Sequence, residues 1–216
     1  RAAEPLSEGY LLHPERRGRT RATPPEPEIA LRFTGGAGPK ITVGEREVPA
    51  SLRPAEILTT LALHPDGLTG EQLTLLLYGE DGNPTTLRGE IHRLRALLGT
   101  ELLRTRPYRL AAVVDADFLR VRAALRAGRP HDALQACHGE LLPRSDAPAV
   151  RDLRDELTAG LRHAILAVTD VELVHRFAEH PLGIEDLEVH EHLLDLLGPD
   201  DPRRVLVETR LARLLD

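Results

Sequence analysis

Guanidinium groups are concentrated in one short part of this 216-residue chain. Between Pro84 and Leu110 six arginines stand against two glutamates, although the whole chain carries a formal net charge of −6. Arginine donates paired hydrogen bonds to phosphate groups and to the edge of guanine. A basic segment in an acidic chain therefore predicts a local anion-binding surface. The six arginines are Arg88, Arg93, Arg95, Arg104, Arg106 and Arg109.

The sequence offers little for metal binding or catalysis. The best metal candidate is His190-Glu191-His192 with His175 and His180, but residues two apart on a helix point to different faces. The single cysteine, Cys137, cannot complete a thiolate site, so we expect no metal and no cofactor. Neither a Ser-His-Asp arrangement nor a glycine-rich phosphate loop is present, and the carboxylates at 152–156 lack a nucleophile or base. We therefore expect a protein that is not an enzyme.

Composition indicates the compartment and the kind of source. One thiol cannot form an internal disulfide, which favours a reducing environment, and no run approaches the roughly 20 apolar residues of a membrane span. We expect a cytoplasmic protein without membrane contact. Lysine occurs once against 27 arginines, a bias typical of GC-rich bacterial genomes such as those of actinobacteria. The chain begins at Arg1 and contains no Met, which suggests a piece of a longer protein.

The arginines at 88–95 lie on a strongly predicted helix over 83–98. Asn83 is a favourable cap, Pro84 suits the first helical position, and Gly99 ends the helix. One apolar stripe recurs at helical spacing and should be buried; it consists of Leu87, Ile91, Leu94 and Leu98. The opposite face contains small and polar residues that would allow close approach to another surface, namely Thr85, Gly89, His92 and Ala96.

The surrounding elements predict a winged helix over 28–112. Three short strands over 28–52 precede a helix over about 54–63, and a second helix runs from the capping box of Thr69 and Gln72 to Tyr78. The segment 102–110 should be a hairpin with a basic tip. Helices are expected at 117–127, 130–138, 148–167, 170–179, 186–197 and 202–215.

The predicted fold class is therefore mainly α with a small β component. It comprises a winged helix-turn-helix domain and a C-terminal all-α domain, arranged as a bundle or as helical repeats. Residues 1–27 are expected to form the tail of an upstream domain and a basic, proline-rich linker. We place the winged helix at 28–112 and a helical regulatory or interaction domain at 113–216.

Residues 52–110 resemble the winged-helix DNA-binding domain of OmpR/PhoB-type response regulators. The resemblance is carried by Ile91-His92-Arg93-Leu94-Arg95 within the third helix and by Leu103-Arg104-Thr105 and Tyr108-Arg109-Leu110 in the hairpin. It implies that helix 83–98 enters the major groove of double-stranded DNA while wing 102–110 contacts the backbone or minor groove. The sequence departs from the family at Arg53, at the short loop 79–83, where the family can contact RNA polymerase, and at Arg106-Pro107.

Ten residues are assigned to the DNA-binding site. Arg88 and His92 are expected near base edges, whereas Thr85, Thr86 and Arg93 are expected to contact phosphates. Arg95 suits either role, and Gly89 permits close approach. The wing contributes Arg104, Thr105 and Arg106.

Residues 114–165 resemble the bacterial-transcriptional-activator-like helical domain that follows such a winged helix in actinobacterial antibiotic-pathway regulators. The matching segments are Val114-Asp115-Ala116-Asp117-Phe118 and the stretch from Ala133 to Leu142. With Gly9-Tyr10-Leu11-Leu12 upstream, the layout is also similar to regulators that have an N-terminal GAF-like sensor domain. This resemblance implies transcription regulation. Because the segment 115–216 is acidic and its helices are amphipathic, we expect it to mediate self-association or docking of a partner such as RNA polymerase.

An alternative function remains open at this point, because the chain as a whole is acidic. The winged helix could serve as a protein-interaction module that does not bind DNA. Binding to duplex DNA that weakens steeply with salt would separate the two functions, since only phosphate neutralisation produces such a slope.

Overall fold

The computed structural model describes residues 29–36 and 38–215. The predicted tail and linker 1–27, including Gly9-Tyr10-Leu11-Leu12, lie outside the described residues. Within the described ranges the strands are β1 (Ile29–Arg32), β2 (Lys40–Val43), β3 (Arg46–Val48), β4 (Leu103–Thr105), β5 (Tyr108–Leu110) and β6 (Val114–Ala116).

The helices of the described chain follow the predicted order closely. They are α1 (Leu52–Leu63), α2 (Gly70–Tyr78), α3 (Pro84–Leu98), α4 (Asp117–Arg126), α5 (Pro130–Ala136), α6 (Pro148–Leu166), α7 (Val171–Ala178), α8 (Leu187–Leu196) and α9 (Arg204–Leu215). The predicted fold class, a winged helix-turn-helix followed by an all-α region, is confirmed. Over the described residues no helix is both long and apolar enough to cross a membrane.

A four-stranded sheet forms the base of the winged helix, in the order β3-β2-β1-β6. Strands β1 and β2 pair antiparallel, with Leu31 opposite Ile41, and β2 pairs antiparallel with β3. Strand β6 pairs parallel with β1, placing Ile29 beside Val114. All elements expected after residue 110 are helices, so β6 is a strand that the sequence did not predict. A strand of three residues has too few positions to show a period, and its conformation depends on a partner 85 positions away along the chain.

A local signal explains the start of α2 but not that of α1. Helix α2 begins with the predicted capping box: the Thr69 hydroxyl accepts from the Gln72 backbone N–H (3.2 Å), and the Gln72 side chain accepts from the Thr69 N–H (2.9 Å). Helix α1 begins at Leu52, two residues before the predicted Pro54, and its cap Ser51 makes no side-chain hydrogen bond. Helix α1 contributes Ile57, Leu58 and Leu61 to the hydrophobic core, and α2 contributes Leu73 and Leu77.

Buried polar contacts join the winged helix to the helices that follow it. Asp117 at the start of α4 is 3% exposed, and one of its carboxylate oxygens accepts hydrogen bonds from Phe33 N (2.8 Å) and Thr34 N (2.9 Å). Glu56 of α1, also 3% exposed, accepts from the Ser145 hydroxyl at 2.6 Å. The domain boundary between residues 112 and 113 stays a prediction. These contacts join the segment before it to the helices after it.

Candidate nucleic-acid interface

Helix α3 is oriented by its cap and by its buried stripe. The Asn83 side chain accepts from the Thr85 N–H at 2.8 Å, and Pro84 occupies the first turn. Leu87, Ile91, Leu94 and Leu98 are each only 1–3% exposed. The opposite face is consequently turned to solvent, and the structure brings a continuous set of predicted site residues together there: Thr85, Thr86, Arg88, Gly89 and His92.

The turn between α2 and α3 depends on close backbone approach at Gly82. A Cβ atom at this position would lie 2.5 Å from the Thr74 methyl carbon and 3.0 Å from the Tyr78 Cβ, so no side chain fits without movement. Gly79 ends α2 with a φ of +73°, a left-handed conformation that glycine adopts readily. The two glycines allow the short loop 79–83 to set the angle between the two helices.

The arginines of α3 differ in their freedom to bind a ligand. Arg88 and His92 are exposed and form no side-chain hydrogen bond or ion pair with any described residue. Arg93 is exposed but pairs with Glu90 at 2.6 Å. Arg95 is half-buried and donates to the Thr100 carbonyl at 3.3 Å. Arg88 and His92 are therefore the helix residues most available for base edges, whereas Arg93 and Arg95 lie at the edges of the face.

The wing has one apolar face and one cationic face because its strands alternate. Leu103 and Leu110 are opposite each other and buried, at 0% and 8% exposure. The next pair along is Arg104 opposite Arg109, and both are exposed. Like charges directly opposite on two strands destabilise the pairing. Arg104 has only a distant carboxylate, Glu101 at 3.8 Å, and Arg109 has no ion pair within the described chain.

The tip of the wing is held against the segment before α2. Tyr108 and Leu68 exchange two backbone hydrogen bonds of 2.9 Å. Gly67, with φ of +94°, lies so close to Pro107 that a Cβ would be 2.7 Å from its ring. Arg106 at the tip is exposed, whereas Thr105, opposite Tyr108, is half-buried. The basic tip is therefore fixed relative to the helix-turn-helix.

Arg109 was not among the predicted site residues, although its place opposite Arg104 makes it equivalent. The sequence contains a signal for this, because successive side chains of a strand point to opposite faces. Arg104, between Leu103 and Thr105, and Arg109, between Tyr108 and Leu110, are therefore expected on one face. The hairpin register was needed to show that they are direct neighbours.

The unusual Arg53 at the start of α1 has a structural role. Its guanidinium lies 2.7 Å from the buried carboxylate of Glu56 and stacks over the Tyr78 ring, 4.5 Å from the centroid. Burial raises the pKa of Tyr78, with the Arg53 charge acting in the opposite direction. Arg53 thus joins α1 to the end of α2.

The histidines considered for metal binding face separate partners. His190 Nδ1 lies 2.9 Å from the Asp186 carbonyl oxygen, and His192 Nε2 lies 2.8 Å from that of Val168. No group of three or more His, Cys, Asp or Glu side chains suited to a metal ion occurs within 29–36 and 38–215.

Similarities to known proteins cover parts of this architecture. Residues 170–216, which contain α7 to α9, match the family described as "YTH3-like protein, third C-terminal helical domain". The chain is 36% identical over 182 residues to the "uncharacterized 47.3 kDa protein in thcA 5'region" of Rhodococcus erythropolis. That alignment covers 84% of this chain but only 42% of the relative, so the chain spans less than half of its length. The relative's source is consistent with the actinobacterial composition.

One solved structure that matches part of the chain is EmbR of Mycobacterium tuberculosis, in complex with a low-affinity phosphopeptide. The similarity covers 88% of this chain and 65% of that chain, at 17% identity and a TM-score of 0.41.

Proposed function

We propose that the chain is part of a transcription regulator that binds double-stranded DNA through α3 and the β4–β5 wing. The observation that carries this proposal is the pair Arg104 and Arg109, which lie directly opposite each other and exposed on one wing face. Arg109 has no ion pair within the described chain and Arg104 has only that with Glu101 at 3.8 Å, so the pair suits a site where a ligand supplies further negative charge. A phosphate backbone provides that charge.

In this proposal α3 lies in the major groove with its solvent-facing residues against the bases. Arg88 and His92, which are free of internal partners, contact base edges, and Gly89 between them permits close approach. Thr85 and Thr86 at the helix start donate to phosphates. Arg93 reaches a phosphate after leaving Glu90, and Arg95 supports the end of the helix or contacts the backbone.

The wing contributes affinity rather than sequence preference. Arg104, Arg106 and Arg109 contact the backbone or minor groove, where the hydrogen-bonding pattern of the base pairs is degenerate. Thr105 is half-buried and lies at the edge of this contact. This division of roles between helix and wing follows from the width of the grooves. An α-helix fits into the major groove, whereas the minor groove is too narrow for it.

The experiment is duplex binding by the full chain over a salt series. We expect the affinity to fall steeply with salt, and the Arg104→Ala/Arg109→Ala double variant to flatten the log–log slope by about one unit per lost phosphate contact. The control is Arg151→Ala/Arg176→Ala, which removes two exposed arginines from α6 and α7. A wild-type chain without duplex binding would favour the alternative, a protein-interaction module. If the two double variants have the same salt slope, the wing is not part of the DNA-binding site.

The helical region 113–216 is proposed as the regulatory and interaction part, with a second copy or RNA polymerase as partner. Exposed apolar side chains on α9, Val205 at 67% and Leu215 at 69%, support an association surface. Sedimentation of the chain at rising concentration tests self-association. The proposal places the protein in the cytoplasm and assigns it no enzymatic activity.

A further inference from the structure

A cavity of about 440 Å³ lies between α7, α8 and α9, far along the chain from the proposed DNA-binding residues. Its volume falls within the range of small-molecule sites, on the order of 300–1,000 Å³. Its apolar lining includes Ile184, Leu193 and Val207. Leu206 of α9 also lines it but is 71% exposed, so this side chain forms an uncovered apolar rim.

The polar lining of the cavity is mainly cationic. Arg210 and Arg213 both line it, are exposed, and form no ion pair with any described residue. They lie three positions apart on α9, a spacing at which like charges repel and destabilise a helix. Arg203 at one end is already held by Asp201 at 2.8 Å, and among the described residues Glu179 is the single acidic residue of the lining. Within this part of the chain, Arg210 and Arg213 are therefore the lining arginines without an ion pair.

His190 provides an independent polar contact at the cavity wall. The residue is only 4% exposed, and its Nδ1 lies 2.9 Å from the Asp186 carbonyl oxygen. A carbonyl can only accept, so Nδ1 donates this hydrogen bond. The other ring nitrogen, Nε2, forms no hydrogen bond with any described residue, and His190 is one of the residues that line the cavity. A nearly buried side chain that keeps a free hydrogen-bonding nitrogen at a cavity wall is a feature expected of a ligand site.

We propose that this cavity binds a small organic carboxylate with an apolar body. The carboxylate pairs with Arg210 and Arg213, and the apolar body covers Ile184, Leu193 and the exposed side chain of Leu206. Apolar walls with a few polar groups that orient the ligand are the usual composition of such sites. The inference goes beyond the proposed DNA binding and does not depend on it.

The test is calorimetric titration of the full chain with sodium octanoate, beside sodium acetate and 1-octanol. Octanoate should saturate at one site per chain. Acetate retains only the charge and octanol only the apolar body, so each should bind at least about tenfold more weakly than octanoate. The Arg210→Ala/Arg213→Ala variant should lose at least about tenfold in octanoate affinity. The control Arg176→Ala, an exposed arginine of α7 outside the cavity, should bind as the wild type does.

A second measurement locates the site. The ring resonances of His190, identified with a His190→Gln variant, should shift with octanoate in proportion to the calorimetric saturation. Absence of saturable octanoate binding would overturn the proposal, and so would acetate binding as tightly as octanoate. Equal affinities for the double variant and Arg176→Ala, or an unchanged His190 ring during saturation, would equally contradict it.

Discussion

Gly89 offers a perturbation whose effects on stability and on DNA binding should have opposite signs. It lies within α3 on the exposed face, and a Cβ added there meets no atom within 4 Å. A glycine in a helix interior is about 0.8–1 kcal/mol less favourable than alanine. Gly89→Ala should therefore stabilise the fold by about 0.5–1 kcal/mol, which corresponds to a rise in Tm of roughly 1–4 °C for a chain of this size.

The same methyl group should weaken DNA binding if α3 lies in the groove. Gly89 stands between Arg88 and His92, where the helix backbone is proposed to approach the bases most closely. We expect at least a tenfold loss of affinity, or about 1.4 kcal/mol. Thermal unfolding and duplex titration of the same protein samples give the two values, so a damaged fold cannot account for weaker binding.

The matched control is Gly160→Ala in α6, a second glycine inside a helix but remote from α3 in the chain. Its added Cβ would lie 3.2 Å from a Leu125 methyl carbon, so its stability change depends on local adjustment, but DNA affinity should stay at the wild-type value. If Gly89→Ala stabilises the chain and binds duplex DNA as tightly as the wild type, the exposed face of α3 is not the surface that contacts DNA.

Three further predictions concern the fold. Asp117→Asn should lower the free energy of unfolding in urea by about 2–4 kcal/mol, because it leaves buried backbone donors without a carboxylate; a loss below about 1 kcal/mol would contradict this. Burial lowers the pKa of His180 below its ordinary value of 6.5, so its neutral ring stabilises the fold fully above pH 6.5, and this contribution is lost as the pH falls through the folded pKa. The urea midpoint should therefore decrease on the acid side, and His180→Gln should make this decrease smaller. An unchanged pH profile of the urea midpoint would show that His180 does not cause the decrease. A fragment 28–112 should melt at a lower temperature than a fragment 28–168, since it lacks β6 and Asp117; equal melting temperatures would make the boundary at 112 a true domain boundary.

The parts of the fold that were predictable are those encoded by neighbouring residues. Helix α3 could be placed because Asn83, Pro84 and Gly99 mark its ends and a leucine stripe marks its buried side. Strand β6 could not be placed, because its three residues are extended only through pairing with β1, and a long-range partner leaves no periodic trace in the sequence. The same reasoning applies to Asp117, which accepts hydrogen bonds from the backbone N–H groups of Phe33 and Thr34, just after β1.

The candidate site shows the same limit. The exposed face of α3 follows from helical period alone, so Arg88, Gly89 and His92 could be assigned together. Period alone could not show that Arg93 is paired with Glu90 or that Arg109 lies opposite Arg104, because rotamers and hairpin register decide both. The cavity at Arg210 and Arg213 was also beyond sequence analysis, since it requires the packing of three helices.

If α3 distinguishes DNA sequences, Arg88→Ala should reduce that preference. A preferred duplex is first selected from random sequences with the wild-type chain, and both proteins are then titrated with this duplex and a scrambled one at several salt concentrations. We expect Arg88→Ala to lose about 1–3 kcal/mol on the selected duplex and little on the scrambled one, with the salt slope reduced less than in Arg106→Ala. Equal losses on both duplexes, or a selection that yields no preferred sequence, would contradict it.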